Sequence, residues 1–253
     1  MNARVVPSVR GARWLAEGWR LFRAAPLGWL VMVFSYLMGT MLVSLVPLAG
    51  PVLVALAVPA LSVGFMAASR AASRRQGVEL PMLVAGFRER AGAQLVLGVV
   101  YVVGFFGAIF GSSLADDGAL MRLLLAPTQA SPGDDPLAGT LAAAALYVPT
   151  MALLWFAPVL VAWHGFTPLK ALFYSAVACW LNLGAFLVYG VALGMLLFGI
   201  LGAAALVAAF GPAGAAAAAA RSLVFPLALV VMPTLFASYY ASYRDVFGVA
   251  PEG

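Results

Sequence analysis

PLGWLVMVFSYLMGTMLVSLV (Pro26–Val46), PLAGP (Pro47–Pro51) and VLVALAVPALSVGFMAA (Val52–Ala68) follow one another without a single Asp, Glu, Lys or Arg. A bilayer core takes about 20 mostly apolar residues per helix, so each flanking run is long enough to cross it. The five residues between them, two of them prolines and one a glycine, leave room only for a tight turn. The stretch therefore reads as two membrane spans placed back to back.

Four more charge-free runs extend the pattern: Ala91–Ala115, Leu137–Trp163, Leu183–Phe210 and Ser222–Tyr243. With Pro26–Val46 and Val52–Ala68 they make six expected spans. Composition agrees. The 253 residues are 64% hydrophobic and 9% charged, with a mean hydropathy of +1.04. Soluble domains run at roughly 45–50% apolar and about 25% charged. A soluble enzyme domain and a disordered tail are thereby excluded. Cys179 is the sole cysteine, which excludes a disulfide scaffold.

Lys and Arg side with the cytoplasm, so their distribution orients the chain. Arg4, Arg10, Arg13, Arg20 and Arg23 precede the first span. Arg70, Arg74, Arg75, Arg88 and Arg90 join the second to the third, Lys170 follows the fourth and Arg244 the sixth. The other side holds only Arg122 and Arg221, with Asp116, Asp117, Asp134 and Asp135. Both termini are expected in the cytoplasm of a multi-pass protein of the plasma (inner) membrane. The basic, polar-interrupted N-terminal residues lead into a run long enough to span, so no cleaved signal peptide is expected.

Before the first span, Arg10, Arg13, Glu17 and Arg20 recur at three- and four-residue steps and share a helical face, with Ser8 as expected cap. Trp14, Leu15, Gly18, Trp19 and Phe22 occupy the other face. A basic amphipathic helix with tryptophans on its apolar side suits the membrane surface. A second such helix is expected from Thr167-Pro168, with Leu169, Leu172, Phe173, Ala176 and Trp180 on its apolar stripe. A third, less regular, starts at Pro81. Pro59, Pro158 and Pro233 each stand in a Pro-x-Leu of an even-numbered span, 11 or 12 residues before Arg70, Lys170 and Arg244. That spacing puts each proline near mid-bilayer as a candidate kink, tolerable where neighbours satisfy the freed backbone groups. The expected fold is an all-α polytopic bundle, a single membrane domain over 1–253. Its six helices form three hairpins, each preceded by a cytoplasmic interfacial amphipathic helix. The repeat units would be 7–68, 81–163 and 168–243.

Chemistry-bearing residues are few. His164 has no second histidine or partner cysteine, and a metal site needs three or four ligands. It reads as an interfacial hydrogen-bonding residue. Cys179 reads as a buried small hydrophobe. The four aspartates read as solvated loop charges rather than a cation site. Gly104, Gly107 and Gly111 in the third span, and Gly190 and Gly194 in the fifth, suit close helix packing. No ionisable group lies within a span, which argues against ion-coupled transport of a charged substrate. No catalytic, cofactor-binding or metal residue and no cofactor is expected.

Asp245 follows Tyr239, Tyr240, Tyr243 and Arg244 near the C-terminus. Beside so basic a face it is expected to pair with Arg13, Arg20, Arg88 or Arg90, closing the third repeat on the first or second.

WFAPVLVAWH (Trp155–His164), ACWLNLGAFLVYG (Ala178–Gly190), YYASYRDVFG (Tyr239–Gly248) and PALSVGFMAASRAA (Pro59–Ala72) resemble an uncharacterised family of proteobacterial, betaproteobacterial-type inner-membrane proteins, usually called only "transmembrane protein". The resemblance covers nearly the whole chain and implies six spans. It brings no activity and no site residue.

The expected function is accordingly non-enzymatic, organising lipid or partner proteins at the cytoplasmic membrane surface. Anionic headgroups would meet Arg10, Arg13, Arg20, Arg23, Arg70, Arg74, Arg75, Arg88 and Arg90. The alternative is a small transporter or channel for a neutral or lipid-like substrate. Nucleic acid is not an expected partner.

Overall fold

A computed structural model describes residues 3–125, 135–210 and 215–248, and their side chains except at 125, 201, 203–210, 215–226 and 228. The described secondary structure is helical throughout. In order come α1 (Arg10–Ala24), α2 (Pro26–Ser44), α3 (Ala49–Ser73), a 3-10 turn (Leu80–Val84), α4 (Ala85–Arg88), α5 (Ala91–Asp116) and α6 (Ala119–Leu125). Then follow α7 (Leu137–Leu154), α8 (Ala157–His164), α9 (Pro168–Leu181), α10 (Leu183–Phe210) and α11 (Ala215–Phe247).

Among the described residues, five helical stretches are long and apolar enough to cross a membrane: Pro26–Ser44, Ala49–Ser73, Ala91–Asp116, Leu137–His164 and Leu183–Ile200. They coincide with the first five expected spans. The sixth, Ser222–Tyr243, falls within α11 but begins among residues whose side chains lie outside the description.

The chain forms two compact units. The first comprises the described residues of Met1–Met41, Ser62–Ala85 and Ala178–Gly253; the second comprises those of Leu42–Leu61 and Gly86–Val177. In the first, the Phe65 and Phe236 rings stack at 3.7 Å, and Tyr36 meets both edge-on at 5.4 and 5.9 Å. In the second, α5 lies along α7, with Tyr101, Phe105 and Tyr147 clustered between them. Gly104 and Gly111 permit that approach: a Cβ on them would strike Thr150 and Leu146. Gly107, Gly190 and Gly194 meet nothing within 4 Å, so those members of the expected stripes do not serve packing among the described residues.

Pro158 stands at the start of α8, where the fourth span breaks over Trp155 and Phe156. A proline cannot donate to the carbonyl four residues back and its ring crowds that carbonyl. The break is stitched by one hydroxyl from α9. The Phe156 N–H donates to Ser175 Oγ at 2.9 Å, and Ser175 Oγ donates to the Ala152 carbonyl at 2.7 Å. Gln94 Nε2 donates to the Pro158 carbonyl at 2.9 Å. Pro59 lies inside an uninterrupted α3, and α11 likewise runs through Pro233.

In α9, Leu169, Phe173 and Trp180 of the expected apolar stripe are exposed, Trp180 by 76%, whereas the small residues Ala171, Ser175, Ala178 and Cys179 are buried. Small residues let helix backbones meet, and large apolar side chains cost nothing against lipid tails.

Candidate functional site

In the first unit, Arg10, Glu17, Arg244 and Asp245 come together at α1. Alternating burial sets that helix: Gly11, Trp14, Gly18, Leu21 and Phe22 are buried, while Arg13, Arg20 and Arg23 are exposed. Ser8 makes no side-chain cap; instead its carbonyl accepts the Gly11 N–H at 3.1 Å. Two glycines seven residues apart bring α1 onto its neighbours. A Cβ on Gly11 would run into the Ala185 carbonyl of α10, and one on Gly18 into the Thr234 carbonyl of α11. Trp14 fills the remaining space, with its ring 5.3 Å from Phe186 and 5.9 Å from Tyr189.

Where α1 begins, four charges and an indole interlock. Arg10 Nε and Nη2 donate to the two carboxylate oxygens of Asp245, each at 2.7 Å, and Nη2 also donates to Glu17 Oε1 at 3.0 Å. Trp14 Nε1 donates to Asp245 Oδ2 at 2.8 Å. Arg244 Nη2 donates to Glu17 Oε2. Two guanidinium groups thus face two carboxylates, and the exposed Arg20 guanidinium stands 3.9 Å from Glu17 Oε2 at the edge of the cluster. Burial opposes the charge on Arg10, but the hydrogen bond and charge of Asp245, followed by those of Glu17, outweigh it and raise its pKa above the ordinary value. The expected closure of the C-terminal segment on the first repeat is present, through Arg10 rather than Arg13, Arg20, Arg88 or Arg90. Helical geometry gives the reason. At 100° per residue Glu17 falls about 20° from Arg10 around the helix, whereas Arg13 and Arg20 fall about 60° and 80° away.

Backbone pairing reinforces the closure. The Arg4 N–H donates to the Val246 carbonyl at 2.7 Å. Asn182, buried between α9 and α10, accepts the Val6 N–H at 2.8 Å and donates to the Arg4 carbonyl at 3.0 Å. The Arg4–Val9 segment is therefore tied to both α10 and α11 ends before α1 starts.

Beside this cluster, Leu15 and Trp19 of α1, Leu196 of α10, and Val230, Val231 and Thr234 of α11 line an apolar groove of about 210 Å³. Trp19, expected on the apolar face of α1, is 42% exposed. The Arg23 guanidinium lies over its ring, 5.7 Å from the centroid.

The other candidates have local roles. Arg75, Arg88 and Arg90 are exposed, and Arg70 and Arg74 are half-buried. Arg90 Nη1 donates to the Gly165 carbonyl at 3.0 Å, just past the end of α8. His164, at that end, is exposed, and its ring lies 6.2 Å from that of Phe166. Cys179 is buried. Asp116 accepts the Gly118 and Leu120 N–H groups at 3.0 and 2.8 Å, and Asp135 accepts that of Leu137 at 3.0 Å. Asp134 lies outside the described residues. Among the described residues no three His, Cys, Asp or Glu side chains gather as metal ligands would.

Span-forming helices, large apolar side chains turned outward and one small cluster of paired charges define a multi-pass, all-helical membrane protein. A curated "probable inner membrane protein" of Burkholderia thailandensis is 40% identical to the chain, covering 98% of it and 94% of the relative. The chain belongs to that family of inner membrane proteins. No protein-family model matches it, and no solved structure does.

Proposed function

We propose that this inner membrane protein is a non-enzymatic organiser of anionic lipid at the cytoplasmic membrane surface, with both termini inside, and through that lipid a platform for partner proteins. The observation that carries the reading is the division of labour on α1. Arg10 is engaged by Asp245 and Glu17, while Arg13, Arg20 and Arg23 stay exposed on a helix whose other face is buried. A basic residue near an anionic surface contributes about 1 kcal/mol, so three together give a substantial preference. Arg75 and Arg88 add to the same basic side. The buried hydroxyls favour this reading over passage of a solute. Ser69, Ser112, Ser238 and Ser242 each donate to a carbonyl three or four residues back in their own helix. Hydroxyls held that way have their protons satisfied within the helix and need no solute or water to accept them.

The test is purification of the full chain with its native lipid, followed by mass spectrometry of what it retains. Enrichment of phosphatidylglycerol or cardiolipin over the bulk membrane is expected. Replacing Arg13, Arg20 and Arg23 by Gln should abolish it. Retained lipid of bulk composition would overturn the proposal.

A further inference from the structure

The groove beside α1 has a shape and chemistry that the general basic surface does not explain. Its walls are apolar; the one hydroxyl, that of Thr234, is turned to the Val230 carbonyl at 3.0 Å. Leu196 belongs to Leu183–Ile200, which is apolar enough to cross a membrane, so that wall lies among lipid tails. At the rim, Trp19 combines an apolar ring with exposure, the pattern of a side chain seated at the headgroup boundary. The Arg23 guanidinium lies over that ring, 5.7 Å from its centroid, where cation–π attraction holds the charge beside the indole. An apolar slot capped by a cation that is fixed by an aromatic ring matches one kind of molecule, with a hydrocarbon chain at one end and a negative phosphate at the other.

We infer that this groove is a specific anionic-phospholipid site, with one acyl chain along Leu15, Leu196, Val230 and Val231 and the phosphate on Arg23. The inference rests on the proposed function and narrows it from a charged surface to one seat. Trp19 is the positioning residue, holding Arg23 over the mouth.

Trp19 also supplies the readout. The full chain is reconstituted in nanodiscs of phosphatidylcholine containing a small fraction of phosphatidylglycerol with brominated acyl chains, and separately with the bromine on phosphatidylcholine. Bromine quenches a tryptophan it touches. Six tryptophans are present, so the difference between the natural chain and Trp19→Phe isolates the Trp19 signal. That signal should be quenched at about fivefold less brominated phosphatidylglycerol than brominated phosphatidylcholine. Arg23→Gln should erase the preference, and Val231→Phe, which fills the groove, should remove the quenching by either lipid. Arg122→Gln removes the same charge from the opposite expected side and should leave the preference intact. Equal quenching by the two lipids in the natural chain would overturn the site, as would a preference that survives Arg23→Gln or quenching that survives Val231→Phe. If purified protein still carries excess phosphatidylglycerol under those results, the site fails and the wider function stands. If it carries no excess, both fail.

Discussion

Replacing Asp245 by Ala removes the carboxylate that Arg10 and Trp14 share. Three hydrogen bonds disappear, two from the Arg10 guanidinium and one from the Trp14 indole. The bracket on the cost comes from exposure. A fully buried pair broken on one side costs about 3–5 kcal/mol, and an exposed pair about 0–1 kcal/mol. The Arg10 and Asp245 side chains are 26% and 11% exposed. Solvent therefore screens the pair in part, and Glu17 still holds Arg10, so a loss of about 2 kcal/mol is expected. For a chain of this size each kcal/mol moves the melting temperature by about 2–4 °C, which sets the drop at about 4–8 °C. Asp245→Asn keeps an acceptor for the indole and should cost about half as much. Cys179 provides the assay, because it is the sole cysteine and is buried. A dye that fluoresces on reacting with thiols reports its exposure during a thermal ramp of the detergent-solubilised protein, at one fixed scan rate. Glu89→Gln, at an exposed acid outside the cluster, is the comparison. A melting temperature for Asp245→Ala equal to that of Glu89→Gln would refute the reasoning. So would strict additivity of Asp245→Asn and Arg10→Gln, since a real pair leaves a coupling energy in the double-mutant cycle.

The same thiol assay checks the helix contacts. Gly11→Ala forces a methyl into the Ala185 carbonyl and should lower stability by about 1–3 kcal/mol, while Gly190→Ala, with nothing within 4 Å, should leave it unchanged. Ser175→Ala strips the acceptor from the Phe156 N–H and the donor from the Ala152 carbonyl at the helix break, for an expected loss of about 1–3 kcal/mol. Ser113→Ala, at an exposed hydroxyl bonded within its own helix, should be near neutral, and a loss there equal to that of Ser175→Ala would count against the stitch.

The spans were legible because hydrocarbon admits few charges: five runs free of Asp, Glu, Lys and Arg return as helices of sufficient length. The two faces of α1 were legible for the same reason as in any amphipathic helix. That Asp245 closes on the N-terminal helix was also readable from one acid beside many bases. Its partner was not, because the expectation weighed nearness in charge and not the angle at which Arg10 leaves the start of α1. A signal was available in Gly11 and Gly18: two glycines seven apart on the tryptophan face mark the stripe where another backbone comes close. Ser175 left no trace at all, since one serine among apolar residues has no pattern and its partners, Phe156 and Ala152, are remote in sequence. The groove depends on three helices meeting, which periodicity within one helix does not report.

The proposed lipid-organising role requires the basic side to face the cytoplasm, where the anionic leaflet would meet the Arg13, Arg20 and Arg23 face of α1. A reporter that is active only in the cytoplasm, fused in turn to each terminus and inserted between Asp116 and Asp135, measures this directly. Activity at both termini and none from the insertion is the predicted result. Activity from the insertion together with silence at the termini would place the arginines on the wrong side and contradict the account.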